Sequence, residues 1–193
     1  MDSNGKLALI LDAAKGIFAQ YGYRKTTVQD VALAVGMTKS NLYFYVSNKQ
    51  DLYDQVLRKA LFIWHNKVLT ALQGTQDTKE RFIVMAERAY CYLNEDTDLC
   101  AIIIKDPAIF SVIEGRDGFN DLNKQSVDLL GSILQDGIDQ GVFLDINVER
   151  TAEFLFSTYQ MLLIKTYVQK EVGAAEQFEQ SLDIIVRGIS VEK

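Results

Sequence analysis

The chain has 193 residues, 48% of them hydrophobic and 24% charged. That excludes a disordered or fibrous protein and leaves room for one ordinary domain, or a small one joined to a larger one. The net charge of −6 excludes a uniformly basic nucleic-acid binder. It is, however, uneven: residues 1–60 carry +3 and residues 61–193 carry −9. Screening at physiological salt confines such fields to about 8 Å, so a weakly basic head on an acidic body is compatible with phosphate binding.

The longest apolar runs, such as Ala101–Ile104, fall far short of the roughly 18 residues that a membrane span needs. The first six residues lack the apolar core of a secretory signal. Cys91 and Cys100 are the two cysteines and show no metal-ligand spacing. A cytoplasmic protein with reduced thiols, no cofactor, no metal and no membrane partner is expected. A single proline, Pro107, and no sustained apolar–polar alternation point to an all-α chain.

The first helix is predicted from about Lys6 to Tyr21, with Leu7, Ile10, Ala14, Ile17, Phe18 and Tyr21 on one face and Gly22 as its stop. Thr27 can cap a second helix over 28–35, with Asp30 reaching back to complete a capping box. Gly36 ends it, because glycine takes the left-handed conformation without steric cost. Thr38 caps a third helix of about seven residues, Lys39 to Tyr45. Ser47-Asn48, with Gln50 and Asp51, restarts the chain into a long fourth helix reaching about Leu72. Further helices are expected at about 78–94, 98–110, 119–140, 148–170 and 174–188. Pro107 should end or kink the sixth, and Gly141 should close the seventh.

Short helix, glycine turn, short helix is the helix-turn-helix arrangement. Val28, Val31, Ala32 and Val35, with Met37 and Leu42 across the turn, supply its apolar side. The start of the third helix offers Thr38, Lys39, Ser40 and Asn41, the small polar and basic groups that reach base edges in a major groove. Asn41 can pair with adenine, and Lys39 can donate to guanine or to phosphate. Tyr43-Phe44-Tyr45 adds hydroxyls for phosphate oxygens and rings for packing. Lys49, at the start of the fourth helix, is placed for a phosphate.

From Ile10 to about Leu57 the chain resembles the TetR repressors, with the multidrug-sensing QacR-like branch a close relative. The resemblance rests on Ala14, Phe18, Gly22-Tyr23, Thr26-Thr27, Val31-Ala32, Gly36, Leu42-Tyr43, Tyr45, Lys49 and Leu52 at their spacings. It implies about nine helices, a DNA-binding domain over 1–48 and a ligand-binding and dimerisation domain over 49–193. It also implies a homodimer closed by the last two helices, and a repressor released from operator DNA by a small-molecule effector. By position it assigns DNA contacts to Thr27, Val28, Lys39, Ser40, Tyr43, Tyr45 and Lys49. Val28 cannot make the polar contact sometimes found at its place, and Val46 is smaller than the usual Phe.

In the body, 13 of the 20 aromatic residues fall between residues 51 and 170, as in helical bundles that enclose apolar ligands. Trp64, Tyr90, Phe110 and Phe119 are the candidate ligand contacts. His65, the lone histidine, has no partners with which to build a metal site. Phe154, Leu155, Thr158, Leu162 and Lys165 follow helical steps, as do Phe178, Leu182, Ile185 and Ile189; two such faces per subunit can form a two-fold bundle. No nucleophile–base pair, carboxylate pair or phosphate loop stands out, so no catalysis is expected.

Overall fold

The structure, a computed structural model, describes residues 3–107 and 119–192. Among the described residues the fold is all-α: α1 (Ser3–Lys25), α2 (Val28–Ala34), α3 (Lys39–Leu42), α4 (Lys49–Ala71), α5 (Thr78–Glu95), α6 (Thr97–Lys105), α7 (Asn120–Asp139), α8 (Val148–Leu163) and α9 (Ala174–Ile189). No helix among them is long and apolar enough to cross a membrane.

Local chemistry sets most boundaries. Gly22 breaks the regular backbone near the end of α1 with φ 78° and ψ 164°. α6 stops at Lys105, because the residue before proline is pushed out of the helical region; Asp106 takes φ −138°, ψ 71°. The remainder of the predicted sixth helix, with Phe110, lies outside the described residues. Gly141 closes α7 with φ 67°.

α1 runs on to Lys25, past its expected stop at Gly22, and α3 and α8 also differ from expectation. α3 is regular over only four residues. Beyond Leu42 the chain tightens, with Phe44 N–H donating to Asn41 O (3.3 Å) and Tyr45 N–H to Leu42 O (2.9 Å). The run Tyr43-Phe44-Tyr45-Val46 holds aromatic and β-branched residues that disfavour helix propagation. The tighter turn also delivers Val46 into the core. α8 ends at Leu163 and passes into a π-helical turn, Ile164–Val168, in which Gln169 N–H donates to Ile164 O (2.9 Å).

The described residues divide into two compact units. The first takes those within Met1–Phe62 and Leu93–Ile113. Its core joins Ile10, Ala14 and Phe18 of α1 to Val31 and Ala32 of α2, to Leu52, Val56 and Leu57 of α4 and to Ile102 and Ile103 of α6. Phe18 meets the ring of Tyr53 edge-on at 4.9 Å. α6 is tied at both ends: Asp96 caps it by accepting from Leu99 N–H (3.0 Å) while pairing with Lys15 (2.6 Å). Lys105 donates to Ala19 O (2.5 Å), and Tyr53 donates to Asp106 Oδ2 (3.1 Å).

The second unit takes the described residues within Ile63–Tyr92 and Glu114–Lys193. α7 and α8 pack on each other. Here α5 serves as a shared acceptor, with Trp64 Nε1–H (3.1 Å) and the Tyr159 hydroxyl (2.9 Å) both donating to Ala89 O. The Tyr167 hydroxyl donates to Tyr90 O (2.9 Å).

Leu155 and Leu162 on α8, with Phe178 and Leu182 on α9, belong to the unit's own core. That corrects the expected pairing faces. The residues left outward are Phe154 (65% exposed), Met161 and, on α9, Ile184 (69%).

Gly137 in α7 is required by packing. The chain folds back after Gly141, Val142 and Phe143 both donate to Gly137 O (2.8 and 3.0 Å), and a Cβ at Gly137 would enter the Phe143 ring. Gly137→Ala is expected to lose about 1–3 kcal/mol by overpacking, read as a lower urea midpoint. Gly188→Ala, where a Cβ meets nothing within 4 Å, should be neutral or mildly stabilising.

Candidate functional site

The helix-turn-helix is assembled by interlocking caps. Thr27 Oγ1 accepts the Asp30 N–H (3.2 Å), and Asp30 Oδ2 accepts both the Thr27 N–H and its hydroxyl (2.8 Å each). The reciprocal capping box anticipated from the residues is therefore present. The Thr27 N–H, followed by the Thr27 hydroxyl, holds the Asp30 carboxyl below its ordinary pKa by stabilising the charged form.

At the other end of α2, Gly36 takes φ 66°. Met37 N–H reaches Ala32 O (2.8 Å) and Gly36 N–H reaches Leu33 O (3.1 Å). This is a Schellman turn, in which a left-handed glycine satisfies the last carbonyls of a helix. Thr38 Oγ1 then accepts Asn41 N–H (3.2 Å) to start α3.

α3 is held by a single large apolar anchor, the fully buried Leu42. Around it Thr38, Lys39, Ser40, Asn41, Tyr43 and Phe44 are exposed and Tyr45 is half-buried. The Lys39 ammonium lies 5.8 Å from the centroid of the Tyr43 ring, within the range of a weak cation–π attraction. One short rod thus presents an ammonium, a hydroxyl, an amide and a phenol to solvent.

Two other predicted contacts sit differently. Val28 is 6% exposed, and its side chain forms part of the head's core. Lys49 is turned onto the end of α1, where its ammonium donates to Tyr23 O (2.9 Å), Thr26 O (3.1 Å) and Arg24 O (3.5 Å). It also lies 4.4 Å from the centroid of the Tyr23 ring. The last carbonyls of a helix attract a cation because they lack partners and carry the negative end of its dipole. A phosphate contact from Lys49 would have to displace these bonds.

Reading the sequence missed what Phe44 does. Its ring is 85% exposed beside α3, whereas packing was expected; the usable signal was its place one step beyond Tyr43 on a helix whose anchor is Leu42. Arg24 and Lys25, exposed before Thr27, were also passed over.

α4 restarts with Asn48 Oδ1 accepting Asp51 N–H (3.0 Å), while Asp51 Oδ2 accepts Ser47 N–H (2.6 Å). The Ser47 N–H, then the Gln55 amide, depresses the pKa of Asp51.

Of the candidate ligand contacts, Trp64, Tyr90 and Phe119 are buried. Trp64 stacks on Tyr92 at 5.2 Å. Tyr90 lies flat on Phe178, with centroids 3.8 Å apart, and its hydroxyl is 2.5 Å from Thr166 Oγ1. Burial raises the pKa of the Tyr90 phenol and lowers that of half-buried His65.

The fold and this head define a DNA-binding regulator of the helix-turn-helix class. Residues 10–56 match the family model described as bacterial regulatory proteins, tetR family. The HTH-type transcriptional repressor KstR2 of Mycobacterium tuberculosis is 26% identical over 192 residues, covering 98% of this chain and 95% of that protein. The transcriptional regulator FadR from Bacillus subtilis, solved in complex with stearoyl-CoA, superposes with a TM-score of 0.78 at 21% identity, over 94% and 98% of the two chains. A transcriptional regulator from Saccharomonospora viridis, solved with choline, gives a TM-score of 0.80 at 20% identity, over 99% and 100%. Residues 10–56 thus carry the match to the tetR family of bacterial regulatory proteins, and over nearly the whole chain the protein is similar to transcriptional regulators of that fold.

Lys49→Ala should lower the unfolding free energy by about 1–3 kcal/mol, the range for charge-assisted bonds to carbonyls. Lys39→Ala should stay within about 0.5 kcal/mol, as for exposed surface changes; urea unfolding of both variants checks the contrast.

Stability should fall on acidification in two windows. Folding keeps His65 neutral, so the unfolded chain binds the extra proton as pH drops below 6.5. Asp30 and Asp51 stabilise the folded chain above their ordinary value of 3.8, and that stability is lost as pH falls through their depressed values. Melting curves from pH 8 to 3 should show both declines, and His65→Gln should remove the first alone.

Proposed function

We propose that the chain is a homodimeric, cytoplasmic repressor that leaves its operator when a small-molecule effector binds the helical body. The observation that carries this reading is α3: a capped rod with one buried anchor, Leu42, and a polar end open to solvent. Such an element enters a major groove with its first residues on base edges.

In this reading Ser40 and Asn41 read bases, while Lys39, the Tyr43 and Tyr45 hydroxyls, Arg24 and Lys25 meet phosphates. Phe44 is placed for thymine methyl groups or sugars, the contacts a bare ring can make. Thr27 and Val28 order the start of α2, the position from which backbone N–H groups reach a phosphate. Lys49 shapes the end of α1 that carries Arg24 and Lys25.

Functionally we divide the chain at 48/49, with DNA binding before and effector binding and dimerisation after. Phe154 and Met161, seven residues apart on α8, and Ile184 on α9 form the exposed apolar set that a two-fold partner would cover. Two α3 elements would then face successive major grooves about 34 Å apart. The repressor named among the relatives supports the sign of regulation, and the ligand-bound neighbours support an effector. An effector need favour the released state by only about 1–3 kcal/mol to change DNA affinity some 5–150-fold. The reading assigns the chain no catalytic step.

Selection from random duplex DNA should enrich a pseudo-palindrome. On the recovered site, Lys39→Ala should reduce affinity and lower the slope of log K against log salt by about 0.9 for each protomer's phosphate contact, about 1.8 for the dimer. No enrichment at any salt concentration would sink the regulator reading. An unchanged affinity and slope would remove Lys39 from the interface.

A further inference from the structure

Three polar side chains are buried among the described residues: Thr26, Thr78 and Gln160. Two are satisfied inside the protein. The Thr26 hydroxyl donates to Gly22 O (2.9 Å) and the Thr78 hydroxyl to Gln140 Oε1 (2.8 Å).

Gln160, on α8 and only 6% exposed, is the exception: among the described residues no hydrogen bond engages its amide. No fully enclosed side-chain nitrogen or oxygen lacks a partner. The Gln160 amide therefore keeps a little accessible surface, with its bonding capacity open to water or to a bound molecule. An apolar residue of this size would avoid the desolvation that an unpaired amide costs.

Its neighbourhood in the chain is set up for recognition. Tyr159, the preceding residue, fastens α8 to α5 through Ala89 O. Four residues past Gln160 the π-helical turn begins, a local distortion frequent at functional sites. That turn carries Thr166, whose hydroxyl pairs with that of Tyr90. Two hydroxyls sharing one hydrogen bond leave one O–H over, a second neutral donor.

We infer that the Gln160 amide is the polar anchor for the effector, and that the effector is a neutral, mainly apolar molecule bearing a hydroxyl or carbonyl group. The amide offers both a donor and an acceptor, which suits either group. No charged side chain is buried among the described residues, so a neutral molecule is the one whose transfer inside needs no fully buried counter-charge from them. The inference rests on the effector-controlled reading above and deepens it.

Trp64, the chain's one tryptophan, is buried in the same unit and reports binding by its emission. 1-Decanol, decanoate and decyltrimethylammonium serve as neutral, anionic and cationic probes of one length. Decanol should produce a saturable change, with both ions at least tenfold weaker. Gln160→Leu should weaken decanol about tenfold, the loss of one hydrogen bond, while leaving the melting temperature unchanged or raised. Gln160→Met, unbranched and of similar length, repeats the test should leucine fit poorly.

Lack of decanol binding by the wild-type protein, equal binding by both variants, or a lowered melting temperature in both overturns the assignment. Operator binding by the ligand-free variants is measured alongside. Its loss from the wild-type protein too would count against the regulator reading, whereas the fluorescence result decides Gln160.

Discussion

The head depends on a constraint of length. Four regular residues cannot sustain a helix in water, because nucleation fixes several dihedrals for the first hydrogen bond. α3 therefore exists only because its surroundings impose it. The Schellman turn at Gly36 sets the direction of entry, the Thr38 hydroxyl satisfies the free Asn41 N–H, and Leu42 fixes the rod from beneath. Each of these groups faces inward or along the chain, which leaves Lys39, Ser40 and Asn41 free of structural duty. Separating the residues that hold the rod from those that read lets one scaffold carry many specificities.

Lys49 shows how a charge at a helix start can be taken up by the protein's own backbone. Its ammonium collects the carbonyls of Tyr23, Arg24 and Thr26, and Thr26 leads into the capping threonine of α2. Arg24 and Lys25 are thereby held at a defined place at the end of α1. Position in the sequence alone suggested a phosphate ligand, since a lysine at a helix N-terminus commonly is one. What position alone could not show is that carbonyls 23 to 26 residues earlier are brought to its ammonium.

The legible parts of this protein were those governed by local rules. Thr27 with Asp30, Gly36 and Thr38 each act within six residues, so capping chemistry placed α2 and the start of α3 correctly. The same logic stopped α6 before Pro107 and α7 before Gly141. What could not be read required knowing which face meets which neighbour. Leu155, Leu162, Phe178 and Leu182 show the periodicity of an interface, and periodicity cannot tell a partner subunit from the protomer's own core; the structure gives them to the core. Phe44 was hidden for the converse reason, because a phenylalanine between two tyrosines reads as packing until the backbone turns it outward. Val28 had the opposite fate.

The body poses a harder problem of the same kind. Solved neighbours of one fold hold ligands as unlike as choline and stearoyl-CoA, so the fold itself does not select the effector. Nor do the abundant rings: Trp64, Tyr90, Tyr159 and Tyr167 are tied to backbone carbonyls or to one another, which identifies them first as walls. Selectivity has to come from groups whose bonding capacity the protein leaves open. Thr26, Thr78 and the Trp64 indole are engaged, and among the described residues Gln160 is the buried polar side chain that is not. A wall residue can be exchanged for another of similar volume at modest cost. An unpartnered amide persists only where something other than packing keeps it, which makes it the more informative residue of the body even though no motif pointed to it.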